Sequence, residues 1–147
     1  MSLSTARVKK ELTDVVIAVG IFFLIQGVLY ATLGVFPPYR VVVSGSMEPT
    51  YYRGDVIFIK KVDINQLQRG DIIVFESRGG GTPIVHRITD IVEEDGTLYF
   101  LTKGDNNPFP DSYYHPLKGV PESCVVGTPV LRIPKVGWIS IYVRDLF

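Results

Sequence analysis

Cysteine is nearly absent from this chain, and so is any imbalance of charge. A single thiol, Cys124, excludes an intramolecular disulfide and any multi-cysteine metal centre. Followed by two valines, it reads as a small buried hydrophobe. Fifteen basic residues against fifteen acidic ones leave no footprint for nucleic acid. Low-complexity tracts and long linkers are missing too, so 147 residues imply one domain with a small appendage. No metal or cofactor is expected.

One uninterrupted apolar run stands out instead. Residues 15–36, VVIAVGIFFLIQGVLYATLGVF, carry no charge, and only Gln26 is strongly polar. As a helix rising ~1.5 Å per residue, the run is roughly 33 Å long, enough to cross a hydrocarbon core of about 30 Å. Core helices of soluble proteins rarely stay apolar all round for so long. The basic start (Arg7, Lys9, Lys10) also suits a cleavable signal peptide. The run, however, exceeds the usual apolar region of roughly 7–15 residues, and LGVFPPYR lacks a clear small-x-small cleavage site. The expectation is an uncleaved, single-pass anchor. Residues 1–14 would be cytoplasmic by the positive-inside rule, 15–36 transmembrane, and 37–147 an extracytoplasmic or lumenal domain. Basic residues also follow the span, from Arg40 onward, and weigh against that orientation.

Residues 37–147 read as β-rich. YRVVVS, DVIFIKKV, DIIVFES, PIVHRITDIVEE, TLYFLTK and CVVGTPVLRI are strand candidates, rich in Val, Ile, Phe and Tyr and punctuated by Gly, Pro, Asn and Asp. The Asp95-Gly96 pair predicts a tight hairpin joining the strands around Ile88 and Phe100. DINQL suits a short helical turn. The C-terminal VGWISIYVRDLF is too short to span a membrane and suits a last strand or a patch on the lipid surface. Two segments echo each other, Arg53-Gly54-Asp55 and Arg69-Gly70-Asp71; Gly-Asp before an apolar run is ordinary strand-entry chemistry rather than an adhesion motif.

The chemistry-bearing residues are few. VVVSGSMEPT (41–50) carries a strand into a turn holding Ser44 and Ser46. Of the two histidines, His115 lies in a polar loop, whereas His86 sits in a strand pattern that gives it a defined face. Asp105 and Asp111 lie in the loop after the strand that the Asp-Gly hairpin pairs with the His86 strand. An aspartate there can approach the imidazole without any long-range coincidence. Ser46, His86 and either aspartate would form the nucleophile, base and orienter of acyl transfer, with the Ser46 N–H and the Ser44 hydroxyl as oxyanion donors.

In order along the chain, SGSMEPT (44–50), RGDIIVF (69–75), VHRI (85–88) and KGDNN with Asp111 (103–111) resemble the boxes of type I signal peptidases, most closely the archaeal and endoplasmic-reticulum branch. The resemblance covers roughly residues 37–137 plus the anchor. It implies a mostly antiparallel β-domain of the signal-peptidase, LexA-like type behind one membrane helix. It further implies Ser46 as nucleophile, His86 as general base where bacterial-type relatives use lysine, Asp111 as third member with Asp105 supporting the loop, and Ser44 at the oxyanion. The implied reaction is removal of signal peptides from preproteins at a cell or endoplasmic-reticulum membrane, after small residues at the first and third positions before the cut. Accessory membrane subunits are compatible with it.

The layout fits independently. About eight residues separate Phe36 from Ser44 and reach at most roughly 26–29 Å when extended, so Ser46 must work near the membrane surface. An extended substrate would pair with strand edges at Val41, Val42, Val43 or at Ile84, Val85. A LexA-like Ser/Lys self-cleaving protease is opposed by the lack of a lysine at the base position. A non-catalytic membrane-anchored binding module would make the Ser-Gly-Ser loop only a turn.

Overall fold

The computed structural model describes residues 5–112, 114 and 119–145, so His115 lies outside the described residues. A long helix, α1 (Thr5–Leu33), precedes β1 (Tyr39–Val41), β2 (Val56–Lys60), β3 (Ile72–Phe75), β4 (Ile84–Glu94), β5 (Thr97–Lys103), β6 (Val120–Pro121), β7 (Val125–Ile133) and a final helix, α2 (Trp138–Asp145). Short 3-10 turns occupy Ile64–Gln66, within the expected DINQL turn, and Glu122–Cys124.

All strands pair antiparallel in one sheet of order β1-β2-β7-β3-β4-β5-β6. The expected mostly antiparallel β-domain behind one apolar helix is what the chain forms. β7 joins the halves, pairing with β3 through Val125 and Gly127 and with β2 from Thr128 to Ile133. A side chain at Gly127 would collide with the Lys60 carbonyl at 2.2 Å, so glycine is required where β7 crosses between partners.

β3 explains why the run IIVF is apolar without alternation. Ile73 and Phe75 enter one core cluster with Leu67, Ile88, Phe100 and Val120, while Val74 enters a second with Val35, Val42, Ile57 and Ile59. A strand buried on both faces needs apolar residues at every position. Burying each of Phe75 and Phe100 contributes on the order of 1.5–3 kcal/mol. Cys124 packs half-buried against the first cluster rather than fully enclosed.

The hairpin between β4 and β5 turns at Asp95 and Gly96, both with positive φ (51° and 73°), the geometry an Asp-Gly pair favours. The two Arg-Gly-Asp echoes form the same turn. The Tyr52 carbonyl accepts from Asp55 N–H and the Tyr52 N–H donates to Asp55 Oδ2; Gln68 and Asp71 repeat both bonds. Gly54 and Gly70 supply positive φ values of 90° and 95°, and each turn leads into a strand, β2 or β3.

α1 is long and apolar enough to cross a membrane, with a mean hydropathy of 2.3 over its most apolar stretch, none of which is buried against the domain. It ends at Leu33, three residues before the apolar run does, because Gly34 takes a positive φ of 70°. The Lys61 N–H donates to the Leu33 carbonyl and ties the helix end to β2.

The C-terminal segment is a helix, which corrects the reading as a last strand. Its alternating Ile139, Ile141 and Val143 imitate a strand, yet Trp138 and Ile141, three apart on a helix, face inward. The Trp138 indole covers Gly54 and Ile141 is only 2% exposed, leaving Ile139, Tyr142 and Val143 in the open.

Candidate active site

Three chain segments converge on one cleft. β1 delivers the turn 44–51, which buries Met47 and leaves Ser44 and Ser46 at the surface of the cleft. β4 places His86, 3% exposed, against the edge of the Phe75 ring. The loop after β5 brings residues 104–111 across the face of that turn. Its Asn106 N–H donates to the Ser46 carbonyl at 2.8 Å, and its Asn106 Nδ2 donates to the Gly45 carbonyl at 3.1 Å.

These contacts align Ser46, His86 and Asp111. His86 Nδ1 lies 2.5 Å from Asp111 Oδ2, and His86 Nε2 lies 3.0 Å from Ser46 Oγ. An ionised carboxylate only accepts, so Nδ1 carries the proton and the Nε2 lone pair faces the serine hydroxyl. That hydroxyl donates to Nε2, and Ser44 Oγ, 3.1 Å from Ser46 Oγ, becomes the donor between the two serines. The His86 and Asp111 side chains are only 4% and 6% exposed, so water competes little for either. Thr102 also donates to Asp111 Oδ2, at 2.7 Å.

Asp105, the other acid of this loop, bonds to Arg87 and Thr50 rather than to the imidazole. Arg87 projects to the opposite side of β4 from His86 and takes Asp105 in a two-pronged pair, Nε to Oδ1 at 2.8 Å and Nη2 to Oδ2 at 2.7 Å. Thr50 Oγ1 donates to Asp105 Oδ2 as well, at 2.5 Å, so this carboxylate ties the serine turn to the loop. The Arg87 hydrogen bond, aided by Thr50, holds the Asp105 carboxyl below its ordinary range, and the same bond raises Arg87. Burial raises the neighbouring Tyr51 phenol.

Val41, Val42, Val43, Ile84 and Val85 all line the cleft that holds Ser44, Ser46 and His86, a cavity of about 370 Å³ floored by Ile57 and Val74. β1 lies at the end of the sheet and has one free edge. Among the described residues Ile84 and Val85 pair with β3 alone, since the β5 pairing begins at Arg87, so two backbone edges without a described strand partner border the cleft. Lys60 and Lys61 stand at the α1 end of β2, by Gly127 and Leu33. Among the described residues no cluster of His, Cys, Asp and Glu could hold a metal.

Sequence reasoning missed Thr102, Thr50, Arg87 and Asn107. Threonines and an arginine in strand-rich text carry no chemical signal. The spacing of KGDNN offered the one usable hint for Asn107, which lines the cleft.

A profile of the family described as signal peptidase, peptidase S26, matches residues 11–91. The signal peptidase complex catalytic subunit SEC11C of Homo sapiens is 40% identical over 111 residues, covering 74% of this chain and 58% of that protein. Subunit SEC11 of Clavispora lusitaniae is 38% identical over 111 residues, covering 74% and 66%. Subunit SEC11 of Scheffersomyces stipitis is 32% identical over 146 residues, covering 95% and 87%. The chain thus spans 58% of the length of the mammalian relatives it matches. With the boxes Ser44–Thr50 and Val85–Ile88 inside the matched region and similarity to the Scheffersomyces subunit running nearly end to end, this chain belongs to the signal peptidase family, peptidase S26.

Proposed function

We propose that the protein is a membrane-bound serine endopeptidase that removes N-terminal signal peptides from preproteins. The observation that carries the reading is the aligned series Ser46 Oγ, His86 Nε2, His86 Nδ1, Asp111 Oδ2 at the edge of an apolar cleft.

In this mechanism His86 Nε2 takes the Ser46 proton as Oγ attacks the scissile carbonyl, and a tetrahedral oxyanion forms. Asp111 stabilises the imidazolium, which then protonates the leaving amine. Water, deprotonated by the same imidazole, hydrolyses the acyl-enzyme. The Ser46 N–H and the Ser44 hydroxyl are the oxyanion donors, each typically worth about 2.7–4 kcal/mol of barrier.

The substrate binds extended between the free edges of Val41, Val42, Val43 and of Ile84, Val85, with side chains alternating into the cleft. Closely set valines and isoleucines favour small residues at the first and third positions before the cut, because larger ones clash. α1 is the single-pass anchor, its N-terminus cytoplasmic and the β-domain outside the cytoplasm, in the cell membrane or the endoplasmic-reticulum membrane. Its attachment to β2 at Leu33 keeps the cleft close to the bilayer, where a signal peptide presents its cleavage site. The relatives are named catalytic subunits of a signal peptidase complex, which supports accessory subunits here as well.

The deciding experiment incubates full-length protein in lipid vesicles with a secretory preprotein and sequences the new N-terminus. Wild type should cut after the small-x-small site and Ser46→Ala should not. Equal cleavage by Ser46→Ala would overturn the mechanism.

A further inference from the structure

Thr102 sits next to the C-terminal end of β5, opposite Ile88, and is 1% exposed. Residues directly opposite in an antiparallel pair share a face, so Thr102 lies on the same side of the sheet as His86, two residues before Ile88. A hydroxyl at such depth must find a partner. It donates to Asp111 Oδ2 at 2.7 Å, the oxygen that also accepts from His86 Nδ1. The Thr102 carbonyl meanwhile accepts the Asp111 N–H at 2.8 Å. One residue thus grips the aspartate at both backbone and side chain.

We propose that Thr102 is a positioning residue of the peptidase: its hydroxyl fixes the Asp111 carboxylate, and through it the tautomer and orientation of His86. The inference rests on the peptidase reading above. Asp111 follows three residues with two prolines, at the end of a loop in which no regular strand pairing restrains it. Without the hydroxyl the carboxylate keeps the imidazole as its partner but can rotate about its own side-chain bonds, and the imidazole rotates with it. Thr102 touches neither substrate nor nucleophile, so its removal should slow turnover while leaving substrate binding alone.

The test compares Thr102→Val and Thr102→Ser in the full-length protein. Valine keeps the shape and deletes the donor; serine keeps the donor. Thr102→Val should lower kcat about 10- to 100-fold, the range for a hydrogen bond to a charged group, with KM unchanged and Thr102→Ser close to wild type. A second measurement does not need turnover. With two histidines in the chain, His115→Gln leaves the His86 Nδ1 proton as the only histidine ring proton bonded to a carboxylate. Its downfield NMR signal in detergent should move or broaden in Thr102→Val and return in Thr102→Ser. Unchanged kcat, or an unchanged His86 signal, in Thr102→Val would overturn the proposal. Should wild type itself fail to cleave, the peptidase reading falls, and the NMR comparison still decides whether Thr102 positions the pair.

Discussion

His86 Nε2 lies 3.0 Å from Ser46 Oγ although 40 residues of chain separate them. The contact exists because two strands, β1 and β4, end at the same cleft and because the 104–111 loop presses the serine turn onto the imidazole. On the proposed mechanism His86→Ala should cut kcat by on the order of 10⁶, as for other triad deletions, with a folded protein still seen in its unfolding transition. His86→Lys should be no better. Asp111 would hold the ammonium charged, and a charged amine cannot take the serine proton. Both outcomes are read from initial rates on a purified preprotein together with thermal unfolding.

Gly104 has no room for a side chain. An added Cβ would lie 2.6 Å from the Ser46 carbonyl, 2.8 Å from Asn107 Nδ2 and 2.9 Å from His86 Nε2. Gly104→Ala must therefore push the loop and the serine turn apart. A displacement of about 1 Å at reacting groups costs about 10²-fold. We expect kcat to fall at least that far, with a smaller relative change in stability, measured by parallel kinetics and urea unfolding.

The Asp105–Arg87 pair gives a pH signature for stability rather than for catalysis. The Asp105 carboxyl is lowered in the fold by its hydrogen bond to Arg87, then by that from Thr50. Its contribution is complete above the ordinary carboxylate value of about 3.9 and is lost as pH falls through the lower, folded value. Asp105→Asn should destabilise the protein by about 1–3 kcal/mol at neutral pH, toward the lower end because Arg87 is partly exposed. It should also flatten the acid-side decline expected in urea titrations below about pH 4.

On the proposed mechanism Ser44, whose Oγ lies 3.1 Å from Ser46 Oγ, donates to that oxygen at rest and is freed when it attacks. Ser44→Ala should lower kcat by about 10²-fold with little change in KM, the pattern of a donor engaged only in the transition state. Steady-state kinetics on one preprotein over a range of concentrations separates the two parameters.

Much of this architecture is readable in the sequence because local chemistry and fold agree. Asp95-Gly96 can turn a hairpin only one way, and the twin Arg-Gly-Asp segments enter strands as their glycines and capping aspartates require. The residues by themselves left Asp105 and Asp111 open, and only the family resemblance pointed to Asp111, since the choice depends on which side of β4 each neighbour projects from. Arg87 claims one carboxylate, and His86 receives the other. Thr102 was hidden for a similar reason: in a strand a threonine looks like filler until its burial and its partner are known. The C-terminal helix misled because period-two spacing over six residues fits a strand as well as a helix. Only the seat offered by Gly54 to Trp138 decides between them.

Among the described residues β7 is the only strand that hydrogen-bonds to both halves of the sheet, and it follows the other six in chain order. β1 and β2 can pair early, and β3 to β6 can form their own meander, but the two pieces share no strand pairing until residues 125–133 arrive. Cleft-wall residues Val41 and Ile57 belong to one piece, and Val74, Val85 and His86 to the other. The two walls of the cleft should thus stay unassembled, and the proposed active site incomplete, until the β7 segment pairs with both halves.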